Sequence, residues 1–182
     1  MKKKLKKKRY IHSVGVMYTA MNLAMRYDYD IEKAGIAGIL HDCAKEYDDD
    51  EMIKLCEKNK IEITETERKA PYLLHAKLGA YMAKHEYGID DEEILSAITW
   101  HTTGKPEMTL LDKIIFVADY IEPSRKKTDY IDSIRKYAFT DLDKAVYTEL
   151  YGTLKYVQEK DAIVDENSVL AYEYYEKMMV MD

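Results

Sequence analysis

The sequence predicts an all-α fold, a single helical bundle. Three observations carry that prediction. Only three prolines and seven glycines interrupt 182 residues, while Lys, Glu, Ala, Leu and Met, which lose little rotamer freedom in a helix, are plentiful. Apolar side chains recur at three- and four-residue intervals along most of the chain, and no segment alternates convincingly enough to read as a strand. Hydrophobic residues make up 47% of the chain, enough to fill one sizeable core at this length.

The elements follow in order. Over 10–26, Ile11, Val14, Met17, Met21 and Ala24 have helical spacing. Asp28 to Asp30 break that helix. Asp30 then caps a second one, with Glu32 in the first turn, where a carboxylate suits the dipole. It carries Ile31, Ala34, Ala37, Gly38 and His41 on one face, and Gly35 and Gly38 mark the close approach of a neighbour. Asp48-x-x-Glu51 has the form of a capping box, with Asp in place of Ser or Thr, and opens a helix over 51–58. Thr64 or Thr66 opens the next segment, and Pro71 interrupts or restarts it. Over 72–87, His75, Leu78, Gly79, Met82 and Ala83 share a helical face that Gly88 terminates. Asp90 or Asp91 caps a helix aligning Ile94, Ala97, Ile98 and His101. Thr102 to Pro106 form a loop. Leu110 to Ile121 read as a strongly apolar helix containing Asp119, ended by Pro123. One long amphipathic helix over 130–160 and another over 167–179 complete the chain. The domain boundaries are thus a basic tail over 1–9 and one helical domain over 10–182, with its core over about 10–125 and C-terminal helices over about 130–180.

Charge and composition exclude several classes. No apolar run approaches the roughly 20 residues of a membrane span. The first nine residues hold seven of the 28 basic side chains, yet no apolar stretch follows them, which argues against a signal peptide. Without those seven, 21 basic side chains face 34 acidic ones, leaving a body of charge −13 that repels nucleic acid. The tail itself reads as a disordered, solubilising or helix-leading segment. Cys43 and Cys56 are too few for a disulfide scaffold and lack C-x-x-C spacing, so a cytoplasmic location is expected.

Four of the five histidines, His12, His41, His75 and His101, fall on or at the ends of apolar faces; His85, between Lys84 and Glu86, belongs to the surface. A lone histidine on such a face is ordinarily a satisfied core residue. Four of them, with Asp42 and Asp119 inside apolar helices, call for another account, because a buried carboxylate needs a partner or a metal. Imidazole nitrogen together with carboxylate oxygen suits transition-metal ions rather than calcium or a lone magnesium. No serine sits in a G-x-S-x-G turn, which removes the serine hydrolases from consideration.

His12-Ser13-x-Gly15-Val16, Gly38-Ile39-Leu40-His41-Asp42-Cys43-Ala44-Lys45 and Phe116-Val117-Ala118-Asp119-Tyr120 resemble the H…HD…D signature of the HD-domain phosphohydrolases. His75 in Leu-Leu-His-Ala-x-Leu-Gly-Ala, His101 in Thr-Trp-His-Thr-Thr-Gly, and Asp119-Tyr-Ile-Glu-Pro-Ser-Arg125 narrow the resemblance to the bacterial YqeK-like family of symmetrical diadenosine tetraphosphate hydrolases. It spans about 10–125 and fades beyond, where Val164-Asp165 replaces a His-Pro pair usual in the family.

The resemblance implies a single HD-type helical bundle, a small-molecule nucleotide substrate split into two ADP, and a homodimer, with neither nucleic acid nor membrane as partner. It implies one or two divalent ions, iron or manganese first. His12, His41, Asp42 and Asp119 would hold one; His75 and His101 would hold a second with Asp42 bridging, or would touch the phosphates directly in a one-ion site. One carboxylate spanning two ions sets them about 3.5–4 Å apart, so that both can grip one phosphoryl group. Asp42 and Lys45 are the expected catalytic residues, Lys45 three positions beyond Asp42 on the same helical side. Substrate contacts are expected from Lys45, His75, His101, Thr102, Asp119 and Arg125, the last offering a planar fork for phosphate. Thr103 could add a further donor. The 17 tyrosines hold candidates for nucleobase stacking without singling one out. The alternatives are another HD-type nucleotide phosphohydrolase, such as a nucleoside monophosphatase or cyclic-nucleotide phosphodiesterase, or a metal- or nucleotide-sensing module without turnover.

Overall fold

The computed structural model describes residues 5–181. Among them the chain forms ten α-helices and no strand: α1 (Lys7–Arg26), α2 (Ile31–Leu40), α3 (Asp49–Lys58), α4 (Glu65–Lys69), α5 (His75–Tyr87), α6 (Glu92–Trp100), α7 (Leu110–Ile121), α8 (Ile131–Ala138), α9 (Leu142–Glu159) and α10 (Glu166–Met181). A 3₁₀ turn over Pro71–Leu74 leads into α5. None of these helices is long and apolar enough to cross a membrane.

Side chains set most helix starts. Asp30 accepts from the backbone N–H of Glu32 and Lys33, and Asp91 from those of Glu93 and Ile94. Full capping boxes pair Asp48 with Glu51, Thr64 with Glu67, and Thr109 with Asp112, each satisfying two backbone N–H groups reciprocally. Gly88 ends α5 at φ 71°, a conformation open to glycine at no steric cost.

α7 is the hub. It packs against α1, α2, α6, α8 and α9, while α10 docks on α9 and α5 on α6. Its buried residues include Leu111, Ile114, Ile115, Val117 and Ala118. α1 and α2 lie close: a β-carbon on Gly38 would sit 2.9 Å from Met17 Cα, so only glycine permits this approach.

Four expectations need correction. The buried face of α1 runs through His12, Val16, Ala20, Leu23 and Ala24, whereas Ile11, expected inside, is exposed. The period is right and the phase is rotated, because Met17 and Met21 fill the seam against Gly35 and Gly38 rather than the core. Ile31 is exposed at the first turn of α2. The long helix over 130–160 is two helices. Asp141 caps α9 by accepting from Lys144 N–H at 3.0 Å, which restarts the chain after α8 ends at Ala138. Finally, the basic segment is part of the fold where it is described: residues 1–4 lie outside the described residues, but Leu5 is buried and Lys7 to Arg9 form the first turn of α1.

Candidate metal centre

Six side chains from five elements converge. His12 projects from the buried face of α1, His41 and Asp42 follow the end of α2, His75 opens α5, His101 follows α6, and Asp119 lies in the last turn of α7. α2 stops at Leu40, so Asp42 and Lys45 do not share a helical face. They sit on successive tight turns, with Cys43 N–H donating to Leu40 O and Lys45 N–H to Asp42 O. The turn brings the two side chains together by a route other than helical spacing.

The imidazoles are oriented from behind. Nδ1–H of His41 donates to Gly38 O at 2.7 Å, that of His75 to Tyr72 O at 2.5 Å, and that of His101 to Ile98 O at 2.7 Å. A carbonyl only accepts, so each Nδ1 carries a proton and each Nε2 is the ring nitrogen turned to the centre. His12 Nδ1 lies 3.0 Å from Glu122 Oε1, the carboxylate–histidine arrangement that orients metal-binding imidazoles. The rings of His12, His41, His101 and His75 meet edge to face in sequence, their centroids 4.9–5.3 Å apart.

Asp42 divides its two oxygens between these rings. Oδ2 lies 3.7 Å from His12 Nε2 and 3.4 Å from His41 Nε2; Oδ1 lies 3.3 Å from His75 Nε2 and 3.6 Å from His101 Nε2. Asp119 Oδ1 faces His12 Nε2 at 2.9 Å and His41 Nε2 at 3.5 Å. Burial would lower the His41 pKa, but Asp42 and Asp119 outweigh it and raise it to about 10. Burial would likewise raise both carboxyls; instead His41, His101 and His75 hold Asp42 well below the usual range, and His12, His41 and Arg125 do so for Asp119. Burial, reinforced by the charge of Lys45, pushes His75 down to about 4.

The donor set fits a metal. His12 Nε2 and His41 Nε2 are buried without a hydrogen-bond partner despite the nearby carboxylates. His75 Nε2 and His101 Nε2 lie 3.1 Å apart, two lone pairs in contact, and the single Thr102 hydroxyl 3.1 Å from both can donate to only one of them. Three overlapping triads, His12/His41/Asp42, His41/His101/Asp119 and Asp42/His75/His101, each bring their ligand atoms within 4.8 Å of one another. Mixed nitrogen and oxygen donors of this kind suit a divalent transition metal.

Cations surround the cluster. Lys45 Nζ lies 3.0 and 3.1 Å from the two ring nitrogens of His75, and burial lowers its pKa. Arg125 donates to the Asp119 carboxylate and, through Nε, to Asp119 O at 2.7 Å. Beside them opens a cavity of about 660 Å³, bordered by His12, Lys45, Arg125, Arg9, Lys6 and Lys8. Every expected site residue is therefore in the assembly except Thr103, whose hydroxyl turns to Gly104 O. His85 is exposed, as expected, and rests on Tyr81. Two members escaped sequence reasoning. Arg9 donates to Asp42 Oδ2 at 2.5 Å but was concealed in a run of lysines, although it lies one helical turn before His12. Glu122 read as part of a helix end before Pro123, although it follows Asp119 by one turn.

The profile of the HD domain family matches residues 9–124, a span that begins at Arg9 and encloses all six converging side chains. The chain belongs to the HD domain family. It is 43% identical over 173 residues to the Bacillus subtilis (strain 168) protein named bis(5'-nucleosyl)-tetraphosphatase, symmetrical, covering 95% of this chain and 92% of that one. The Staphylococcus aureus (strain NCTC 8325 / PS 47) protein of the same name is 39% identical, covering 96% and 90%. Among solved structures, a predicted HD superfamily hydrolase involved in NAD metabolism from Clostridium acetobutylicum superposes with a TM-score of 0.93 at 44% identity, over 97% of this chain and 93% of that one.

Proposed function

We propose that the chain is a metal-dependent phosphohydrolase that cleaves diadenosine tetraphosphate at its central anhydride to give two ADP. The observation that carries this reading is Asp42, set between two histidine pairs beside a cavity rich in cations. The names of the Bacillus and Staphylococcus relatives support the substrate and the symmetric cut.

In this reading His12, His41, Asp42 and Asp119 would hold one ion; Asp42, His75 and His101 would hold a second, or His75 and His101 would contact the phosphates directly. Bound there, metal supplies Lewis acidity toward a phosphoryl oxygen and toward water. The remaining work falls to the chain itself. Asp42 stays ionised between the two histidine pairs. Lys45 brings an ammonium against a transferring phosphoryl oxygen, and Arg125 and Arg9 bring guanidinium forks to the neighbouring phosphates. Thr102 offers its hydroxyl beside His75 and His101. Water adds to one of the two central phosphorus atoms, the bridging oxygen departs with the other half, and both products are ADP. Iron or manganese as the metal, a homodimeric state and a cytoplasmic location belong to the same proposal; Cys43 and Cys56, both buried and outside any disulfide, suit a reducing compartment.

The test is incubation of purified protein with diadenosine tetraphosphate and manganese, iron, zinc or a chelator, followed by chromatography. ADP as sole product, lost on chelation and in Asp42→Ala, is expected. AMP plus ATP would reject the central cut. No turnover by folded, metal-loaded protein would shift the reading to another HD-type phosphohydrolase or to a sensor.

A further inference from the structure

A second cavity, of about 510 Å³, adjoins the first. Tyr120 and Thr128 border both, and their hydroxyls lie 3.1 Å apart, so these two side chains form the junction. Tyr120 follows Asp119 directly, which ties the second cavity to the cluster through a single peptide bond.

The two cavities differ in charge and surface. The first gathers Lys6, Lys8, Arg9, Lys45, Arg125 and Lys126 against Glu46 and Glu122. The second has one cation, Lys155, against Asp129 and Glu159, with Tyr130 and Tyr156 along its wall. Phosphates are drawn to the first and repelled from the second. The second instead offers what an uncharged purine and ribose need: aromatic faces for stacking, and carboxylates to accept from amino and hydroxyl groups. Its volume lies within the roughly 300–1,000 Å³ of small-molecule sites.

Tyr130 is held rigidly. A β-carbon on Gly152 would sit 2.7 Å from its Cδ2, so the glycine lets the ring lie against α9. Tyr151 meets the ring edge to face at 5.6 Å, and Lys155 Nζ donates to its hydroxyl at 3.3 Å. The ring is fixed before any ligand arrives, which lowers the ordering cost of binding. Tyr156, one turn beyond Gly152, is 61% exposed, a large aromatic surface at the opening of a cavity.

We propose that this second cavity seats one nucleoside of the dinucleotide while the cation-lined cavity holds the phosphate chain. The inference rests on the diadenosine tetraphosphate reading and adds to it the place of one nucleoside. Thr153→Trp fills the cavity and Tyr156→Ala removes a wall, at a half-buried and an exposed position of α9; Tyr156→Phe keeps the ring. Calorimetry compares binding of ADP with that of inorganic pyrophosphate, which has the same two phosphates and no nucleoside, after melting curves confirm that each variant is folded. ADP affinity is expected to fall about tenfold in Thr153→Trp and Tyr156→Ala, the scale of one base–aromatic stack. Pyrophosphate affinity holds, Tyr156→Phe restores ADP binding, and KM for diadenosine tetraphosphate rises with kcat retained. ADP and pyrophosphate responding alike in both cavity variants, or neither responding, overturns the proposal. If the wild type binds ADP through this cavity yet hydrolyses no diadenosine tetraphosphate with any metal, the nucleoside site stands and the substrate reading falls.

Discussion

Glu122 Oε1 meets His12 Nδ1 at 3.0 Å, behind the ring whose Nε2 faces Asp42 and Asp119. Ser124 fixes the same carboxylate through its backbone N–H at 2.7 Å and its hydroxyl at 2.5 Å. The segment after α7 therefore aims a side chain on α1. Glu122→Ala should lower metal affinity by about 10- to 100-fold, and Glu122→Gln should lower it less. Competition with a chromophoric chelator measures both, and an unchanged affinity in Glu122→Ala would show that His12 needs no such support.

Arg125 grips Asp119 twice, through its side chain and its backbone carbonyl. A lysine carries the charge but not the fork. Arg125→Lys should raise KM for a polyphosphate substrate about tenfold, and Arg125→Ala further, an interaction with an ionised partner contributing about 1.5–3 kcal/mol. Equal KM values for the lysine variant and the wild type would reduce Arg125 to a point charge.

Glu149 is buried on α9, and its Oε2 has no hydrogen-bond partner. Burial, with Asp119 adding to it, raises its carboxyl well above the usual value. The folded state therefore keeps a proton that the unfolded chain releases above about pH 4.5. The stability associated with that proton is complete below this pH and is lost as pH rises toward the folded value. Glu149→Gln should melt higher than the wild type at neutral pH and show a flatter dependence above pH 4.5. Parallel melting curves across pH for the two proteins would refute the assignment.

Gly38 and Gly88 should respond to alanine for different reasons. At Gly38 the new carbon meets Met17 Cα at 2.9 Å, and the overpacking should cost about 1–3 kcal/mol. At Gly88 nothing lies within 4 Å, but φ is +71°, and the left-handed conformation should cost about 1 kcal/mol. Urea unfolding separates the two in size. Activity adds a second distinction, because a shift between α1 and α2 displaces His12 from His41, whereas α5 can absorb strain at its far end.

The residues hardest to justify as core were also the most legible in the sequence. Asp42 and Asp119 interrupt apolar runs, and a carboxylate there demands an explanation on physical grounds alone. The caps at Asp30, Asp48 and Asp91 were legible because their chemistry is local. Arg9 was not, since a run of lysines offers no contrast by which to pick out the cation that pairs with Asp42. The phase of α1 was not legible either: Met17 and Met21 are apolar enough for any core, and only the glycines opposite them assign them to a seam. The division between α8 and α9 was lost for a related reason, because Asp141 alone marks it within a stretch whose apolar spacing continues across.

The residues of the cluster all come from the chain up to α7, and α8, α9 and α10 contribute none. The ligand cluster and the α9 wall of the second cavity, Gly152 to Glu159, thus come from different stretches of the chain. The groups that orient the imidazoles, Gly38, Tyr72, Ile98 and Glu122, all lie outside α9. If the second cavity seats a nucleoside as proposed, nucleotide preference can change through α9 while the ligand set stays intact. The converse does not hold, since a change near Asp42 is felt by both histidine pairs at once.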